Sequence, residues 1–135
     1  KKARTATADD IKIMLNEYCL ELTNLDDWKK DPKASMEGIY REWLAQFAND
    51  KGQFTIHEPV GCEACNNTGY KGRVGLHELL VGTDAIKKGI QEHARVAAMF
   101  ATALAEGMRT LKQDGIEKVL AGITDMHQVR SVCIK

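Results

Sequence analysis

The chain has 135 residues, 44% hydrophobic and 28% charged, with 19 Lys+Arg balanced by 19 Asp+Glu. With that apolar share and two prolines it is a folding chain rather than a disordered or collagen-like one, and its length fits one compact domain or two very small ones. No stretch approaches the roughly 18 uninterrupted apolar residues of a membrane span, Lys1-Lys2-Ala3-Arg4-Thr5 lacks a signal peptide's apolar run, and the even charge lacks a nucleic-acid binder's basic surplus.

In chain order, Ile11, Met14, Leu15, Tyr18, Cys19 and Leu22 fall at i, i+3, i+4, i+7, i+8 and i+11, and Met36, Ile39, Tyr40, Trp43, Leu44 and Phe47 repeat those offsets. Each set lays one apolar stripe along a helix of about three to four turns. Thr7 suits the first N-cap, with Asp9 and Asp10 at the positive end of the helix dipole. Asp31-Pro32 or Ser35 suits the second. Thr23 to Lys33 is polar except for Leu25 and Trp28, so it reads as the loop of an antiparallel hairpin.

Past Lys51-Gly52 the pattern changes. Phe54 to His57 alternates as a strand does, and Arg73 to Val81 alternates again. Gly61, Gly69, Gly72 and Gly75 between them mark an irregular loop. From Thr83 the pattern is helical through Ile86, Ile90, Val96, Met99, Phe100, Ala103 and Leu104, and again after Gly107 through Leu111, Ile116, Val119 and Leu120. Gly122 suits a helix stop, and Thr124 the N-cap of a last helix bearing Met126, Val129, Val132 and Cys133. The expected fold is mainly α with a small antiparallel β and cysteine-loop insert, of the α+β class. Its parts are a helical hairpin over 1–50, a strand and Cys-x-x-Cys loop over 51–82, and C-terminal helices over 83–135.

Gly61-Cys62-Glu63-Ala64-Cys65-Asn66-Asn67-Thr68-Gly69 carries the most chemistry. A Cys-x-x-Cys pair turns two thiolates toward one ion, but tetrahedral zinc needs about four ligands and no second pair follows. Cys62 and Cys65 are therefore candidate zinc ligands, with Cys19 far upstream and His57 or His77 beside the loop as completions. Two outcomes stay open: a zinc-holding loop, or a metal-free one held by its glycines, with Cys19 a small core residue. A redox role lacks the βαβ context of thioredoxin-like motifs. The sequence holds no G-x-x-x-x-G-K-[ST], G-x-G-x-x-G, H-E-x-x-H or G-x-S-x-G, and His93 and His127 have no nucleophile near them in sequence. By its own motifs the chain is not expected to be an enzyme.

The run Gly61 to Leu80 resembles the cysteine loop of the ATPases of bacterial type II secretion and type IV pilus assembly. Three later pieces resemble the carboxyl end of the same proteins: Glu106-Gly107-Met108-Arg109-Thr110-Leu111, Asp114 to Val119, and Gly122-Ile123-Thr124 followed by Val129-Arg130-Ser131-Val132. The likeness covers roughly Glu58 to Cys133. It implies the C-terminal, non-catalytic domain of a hexameric ATPase, cut downstream of a RecA-like core that holds ATP and magnesium. The implied partners are that core, neighbouring subunits of the ring and an inner-membrane platform protein. The implied location is the cytoplasm, peripheral to the inner membrane, with no nucleic acid and no membrane insertion. Zinc-holding members carry an earlier Cys-x-x-Cys. The corresponding stretch here, Tyr18-Cys19-Leu20-Glu21-Leu22, has one cysteine. Arg73 and Arg109 are candidates for positioning neighbouring groups. The alternative is a free-standing, zinc-module-like adaptor that binds a protein partner.

Overall fold

The two apolar stripes of the first fifty residues meet in the computed structural model, which describes residues 2–133. Helix α1 spans Ala8–Cys19 and opens on a reciprocal cap. Thr7 Oγ1 accepts from the Asp10 N–H at 3.1 Å, and Asp10 Oδ2 accepts from the Thr7 N–H at 3.0 Å, so two of the helix's orphan donors are satisfied. The Arg4 guanidinium donates to the same carboxylate at 2.7 Å and, with the Thr7 N–H, holds the Asp10 carboxyl down at about 2. Helix α3, Pro32–Phe47, starts as expected at Asp31-Pro32, with Asp31 Oδ1 accepting from the Ala34 N–H at 3.1 Å.

The expected loop over 23–33 is more ordered than its polarity suggests. A single 3-10 turn, Leu22–Asn24, leads into a short helix α2, Asp26–Lys30. Leu22 and Trp28 turn inward and are buried, so two apolar side chains spaced six apart fold the connection onto the core. Tyr18 of α1 meets Trp43 of α3 edge-on, ring centroids 5.2 Å apart, and Trp43 meets Phe54 edge-on at 6.5 Å. Edge-to-face pairs of this kind add to the free energy of burying the rings.

The sheet differs from expectation. Strand β2, Thr55–Glu58, does form where alternation places it, but its antiparallel partner is β1, Lys2–Thr5, in the register Lys2↔Glu58 to Thr5↔Thr55. Residues 73–83 form no strand. They are tethered instead through side chains around α6, Leu111–Leu120. The His77 N–H donates to Asp114 Oδ2 at 2.9 Å, and Glu78 Oε2 accepts from the Leu111 N–H at 3.0 Å. Lys2-Ala3-Arg4-Thr5 has no apolar alternation to announce a strand. What holds it is its surroundings: Ala6 is buried, its N–H donates to the Phe54 carbonyl at 2.8 Å, and Arg4 Nε reaches Glu58 at 2.7 Å across the ladder.

The C-terminal helices are α4 (Asp84–Gln91), α5 (Val96–Ala105), α6 and α7 (Met126–Val132). α7 is capped by Asp125, whose Oδ1 accepts from the Gln128 N–H at 2.9 Å, one residue beyond the expected Thr124. Gly122 follows α6 with φ +83, a left-handed stop at the expected place. One hydrophobic cluster joins Met14, Trp43, Phe54, Leu104, Ile116 and Val129, and so draws on all three sequence segments. Among the described residues no helix is long and apolar enough to cross a membrane.

Candidate functional site

The Cys62–Cys65 loop sits on the surface between β2 and α4 and is built almost wholly from local bonds. Cys62 is extended, Glu63–Cys65 make one 3-10 turn, and Asn66 and Asn67 both take the left-handed region, φ +53 and +60, which asparagine tolerates better than most residues. The Cys62 carbonyl accepts from the Asn67 N–H at 2.8 Å, and the Cys65 carbonyl accepts from Thr68 Oγ1 at 2.7 Å. Two glycines are required by space. A Cβ on Gly61 would lie 2.7 Å from the Asn67 carbonyl oxygen, and Gly69, at φ +86, would press one 2.5 Å from Pro59 Cβ. Tyr70 anchors the far end by donating its hydroxyl to Asp125, the cap of α7.

This folding brings the two sulfurs to 3.4 Å. Cys65 Sγ also accepts from the Cys62 N–H at 3.3 Å and from the Gly69 N–H at 3.2 Å. These donors favour the thiolate and lower the Cys65 thiol to about 7. Cys19 is in the opposite condition: it is 0% exposed in the core, where burial pushes its thiol up to about 11. Cys133, partly buried, is also raised by burial. Alkylation of the folded chain, mapped by peptide, should therefore modify Cys65 at a rate that climbs as pH rises through about 7. Cys19 should react only once the chain unfolds, and equal rates at the two cysteines in the folded chain would contradict the placement.

The structure does not bring the candidate ligands together. Cys19 lies in the core cluster while the Cys62–Cys65 pair lies at the surface, and no group of three or more His, Cys, Asp or Glu suited to a metal occurs among the described residues. The pair supplies two thiolates where a closed zinc site takes about four ligands, so the described residues supply half of such a site and do not by themselves complete it. His57 is half-buried, and its Nδ1 is the one buried side-chain polar atom lacking a partner among the described residues. His77, His93 and His127 are exposed.

Arg73 is exposed, but Arg109 is half-buried and part of a clamp. Its Nε donates to the Tyr18 hydroxyl at 3.2 Å, which in turn donates to Glu117 at 3.0 Å, and its Nη1 donates to the Met108 carbonyl at 3.0 Å. The arginine ties α1 to α6 and to the turn after α5. Sequence reasoning missed Gln113, which is 1% exposed and bonds α6 to the end of α1. Its signal was present as Thr110-x-x-Gln113, a capping box. Beside Arg109 a groove of about 350 Å3 is lined by Leu79, Leu80, Val81, Ile86 and Met108. The segment along it is unusually bare, with Leu79 74% and Val81 61% exposed.

The family model for type II/IV secretion system proteins matches residues 14–131. Among curated relatives, the type II secretion system protein E of Dickeya dadantii is 43% identical over 75 residues, 56% of this chain and 15% of that protein. The type IV pilus assembly ATPase PilB of Pseudomonas aeruginosa is 36% identical over 105 residues, 77% of this chain and 18% of that protein. The protein of the same name from Thermus thermophilus is 46% identical over 79 residues, 55% of this chain and 8% of that protein. The chain thus spans less than a fifth of the length of these relatives. No solved structure matches it.

Proposed function

Because the chain belongs to the type II/IV secretion system protein family, we propose that it is the non-catalytic C-terminal part of a hexameric ATPase that powers type II protein secretion or type IV pilus assembly. The observation that carries this reading is the breadth of the match, residues 14–131, in a sequence with no phosphate-binding G-x-x-x-x-G-K-[ST] loop. ATP and magnesium belong to a RecA-like core outside this sequence. The chain's own work is architectural: it packs on that core or on a neighbouring subunit of the ring, at the cytoplasmic side of the inner membrane, where the ring meets a platform protein.

The exposed apolar surface supports such packing. Residues 74–81 carry Val74, Leu79, Leu80 and Val81 at the surface, and Val96 at the start of α5 is 84% exposed. Exposed apolar side chains at consecutive positions, as at Leu79-Leu80-Val81, suit an interaction face. A run apolar at consecutive positions is the pattern of a strand covered on both sides. Calorimetry with Mg·ATP tests the reading. No binding heat is expected from this chain, and micromolar nucleotide affinity would overturn the non-catalytic role. The reading frame upstream of Lys1 should encode the missing phosphate loop.

A further inference from the structure

The Asp125 carboxylate serves two elements at once. Its Oδ1 accepts from the Gln128 N–H at 2.9 Å and caps α7, while its Oδ2 accepts from the hydroxyl of Tyr70, 55 positions earlier in the chain. We propose that Tyr70 is a strap through which the cysteine turn and helix α7 order and loosen as one unit, so that a change in the turn is read out at α7. The coupling is a property of the chain itself and does not depend on which secretion machine it serves.

Three observations carry this. The first is a short, unbroken run of hydrogen bonds from the turn to the helix. Thr68 Oγ1 donates to the Cys65 carbonyl at 2.7 Å and accepts from the Tyr70 N–H at 3.2 Å, and the Gly69 N–H donates to Cys65 Sγ at 3.2 Å. Cys65 is thus two hydrogen bonds from Tyr70, and Tyr70 is one from the cap of α7. The Gln128 side chain meets the same hydroxyl, so both of these contacts fall at the start of α7. The second is that Tyr70 has little freedom of aim. Gly69 before it sits at φ +86 with Pro59 so close that a Cβ would lie 2.5 Å from the proline Cβ, so the backbone of the turn sets where the ring points.

The third is that α7 is an element able to switch. It has seven residues, too few for a helix to persist on its own, so it forms only while docked. Its docking is narrow. Val129 is buried against Gly115, where even a Cβ would lie 2.8 Å from the valine side chain, but Ile123 and Val132 on either side are 52% and 68% exposed. An element held by so few apolar contacts opens at low free energy, and one charge-assisted bond at its start then matters to its balance. Coupling of this kind is reciprocal: what loosens α7 must loosen the turn by the same factor.

Hydrogen exchange of the 135-residue chain, followed residue by residue by NMR with the α3 amides as internal reference, tests the strap. Tyr70→Phe removes one oxygen from the turn. It should speed exchange about tenfold at the α7 amides as well as at Asn67 and Gly69, and leave α3 unchanged. Arg130→Gly loosens α7 at an exposed position, through glycine's backbone freedom and the lost pair with Glu17. It should speed exchange at Asn67 and Gly69 in the parent chain, and cease to do so in a Tyr70→Phe chain. The proposal is overturned if Tyr70→Phe changes the turn alone or speeds α3 as much as α7. It is equally overturned if Arg130→Gly leaves the turn amides as they were, or reaches them just as well without the Tyr70 hydroxyl.

Discussion

Trp43→Ala should destabilise the chain by about 3–5 kcal/mol, the range for deleting a large buried aromatic. Set against a total stability of roughly 5–15 kcal/mol for a domain, that leaves a small margin or none. Trp43 is 2% exposed and is the piece through which three elements touch: its ring stands edge-on to Tyr18 of α1 and to Phe54 beside β2. Alanine there leaves a void that neither neighbour can fill, because Tyr18 is pinned through its hydroxyl to Glu117 and Arg109, and the Phe54 carbonyl is fixed by the Ala6 N–H. Urea unfolding followed by circular dichroism should show the midpoint collapse, and Trp43→Phe should recover part of it. A loss below about 1 kcal/mol for the alanine variant would contradict this packing.

Gln113→Ala is expected to cost about 2–4 kcal/mol through stranded hydrogen-bonding groups rather than lost apolar area. Gln113 Nε2 donates to the Tyr18 carbonyl at 2.8 Å, at the end of α1, and Oε1 accepts from the Thr110 N–H at 2.8 Å, at the start of α6. Alanine leaves both backbone groups unpaired, the first of them buried. Gln113→Glu gives a sharper readout. A carboxylate cannot donate to the Tyr18 carbonyl, and burial raises its pKa, so this variant should gain stability as pH falls and the acid form supplies the missing proton. Equal stability of Gln113→Glu and the parent chain at neutral pH would sink this account.

Much of the helical structure was legible because its signals are local. Thr7 and Asp10, Asp31 and Ala34, and Thr110 and Gln113 are each three residues apart, and the stripes they introduce repeat every three or four, so a short window contains the whole cause. The same holds for the cysteine loop, whose bonds run between Cys62 and Tyr70 apart from the reach to Asp125. Where the reading failed, the cause lay at long range. The strand pattern over 73–81 reports a preference for being covered on both faces, which is not sufficient to form a strand without a ladder partner. Trp28 looked like an isolated apolar residue in a polar loop because the surface that receives it is made elsewhere.

The sequence by itself determined most of the helix starts and stops, the predominance of helix, the tight turn that pairs Cys62 with Cys65, and the family pattern from Gly61 to Val132 that the type II/IV secretion match bears out. Each depends on neighbours in the chain or on residue order, which a string of letters carries in full. Tertiary structure alone decided that β1 rather than 73–81 pairs with β2, that Cys19 goes to the core instead of the loop, and that Arg109 clamps Tyr18. Those outcomes depend on which apolar faces meet and which polar groups are left to be satisfied when they do, and that competition involves residues tens of positions apart.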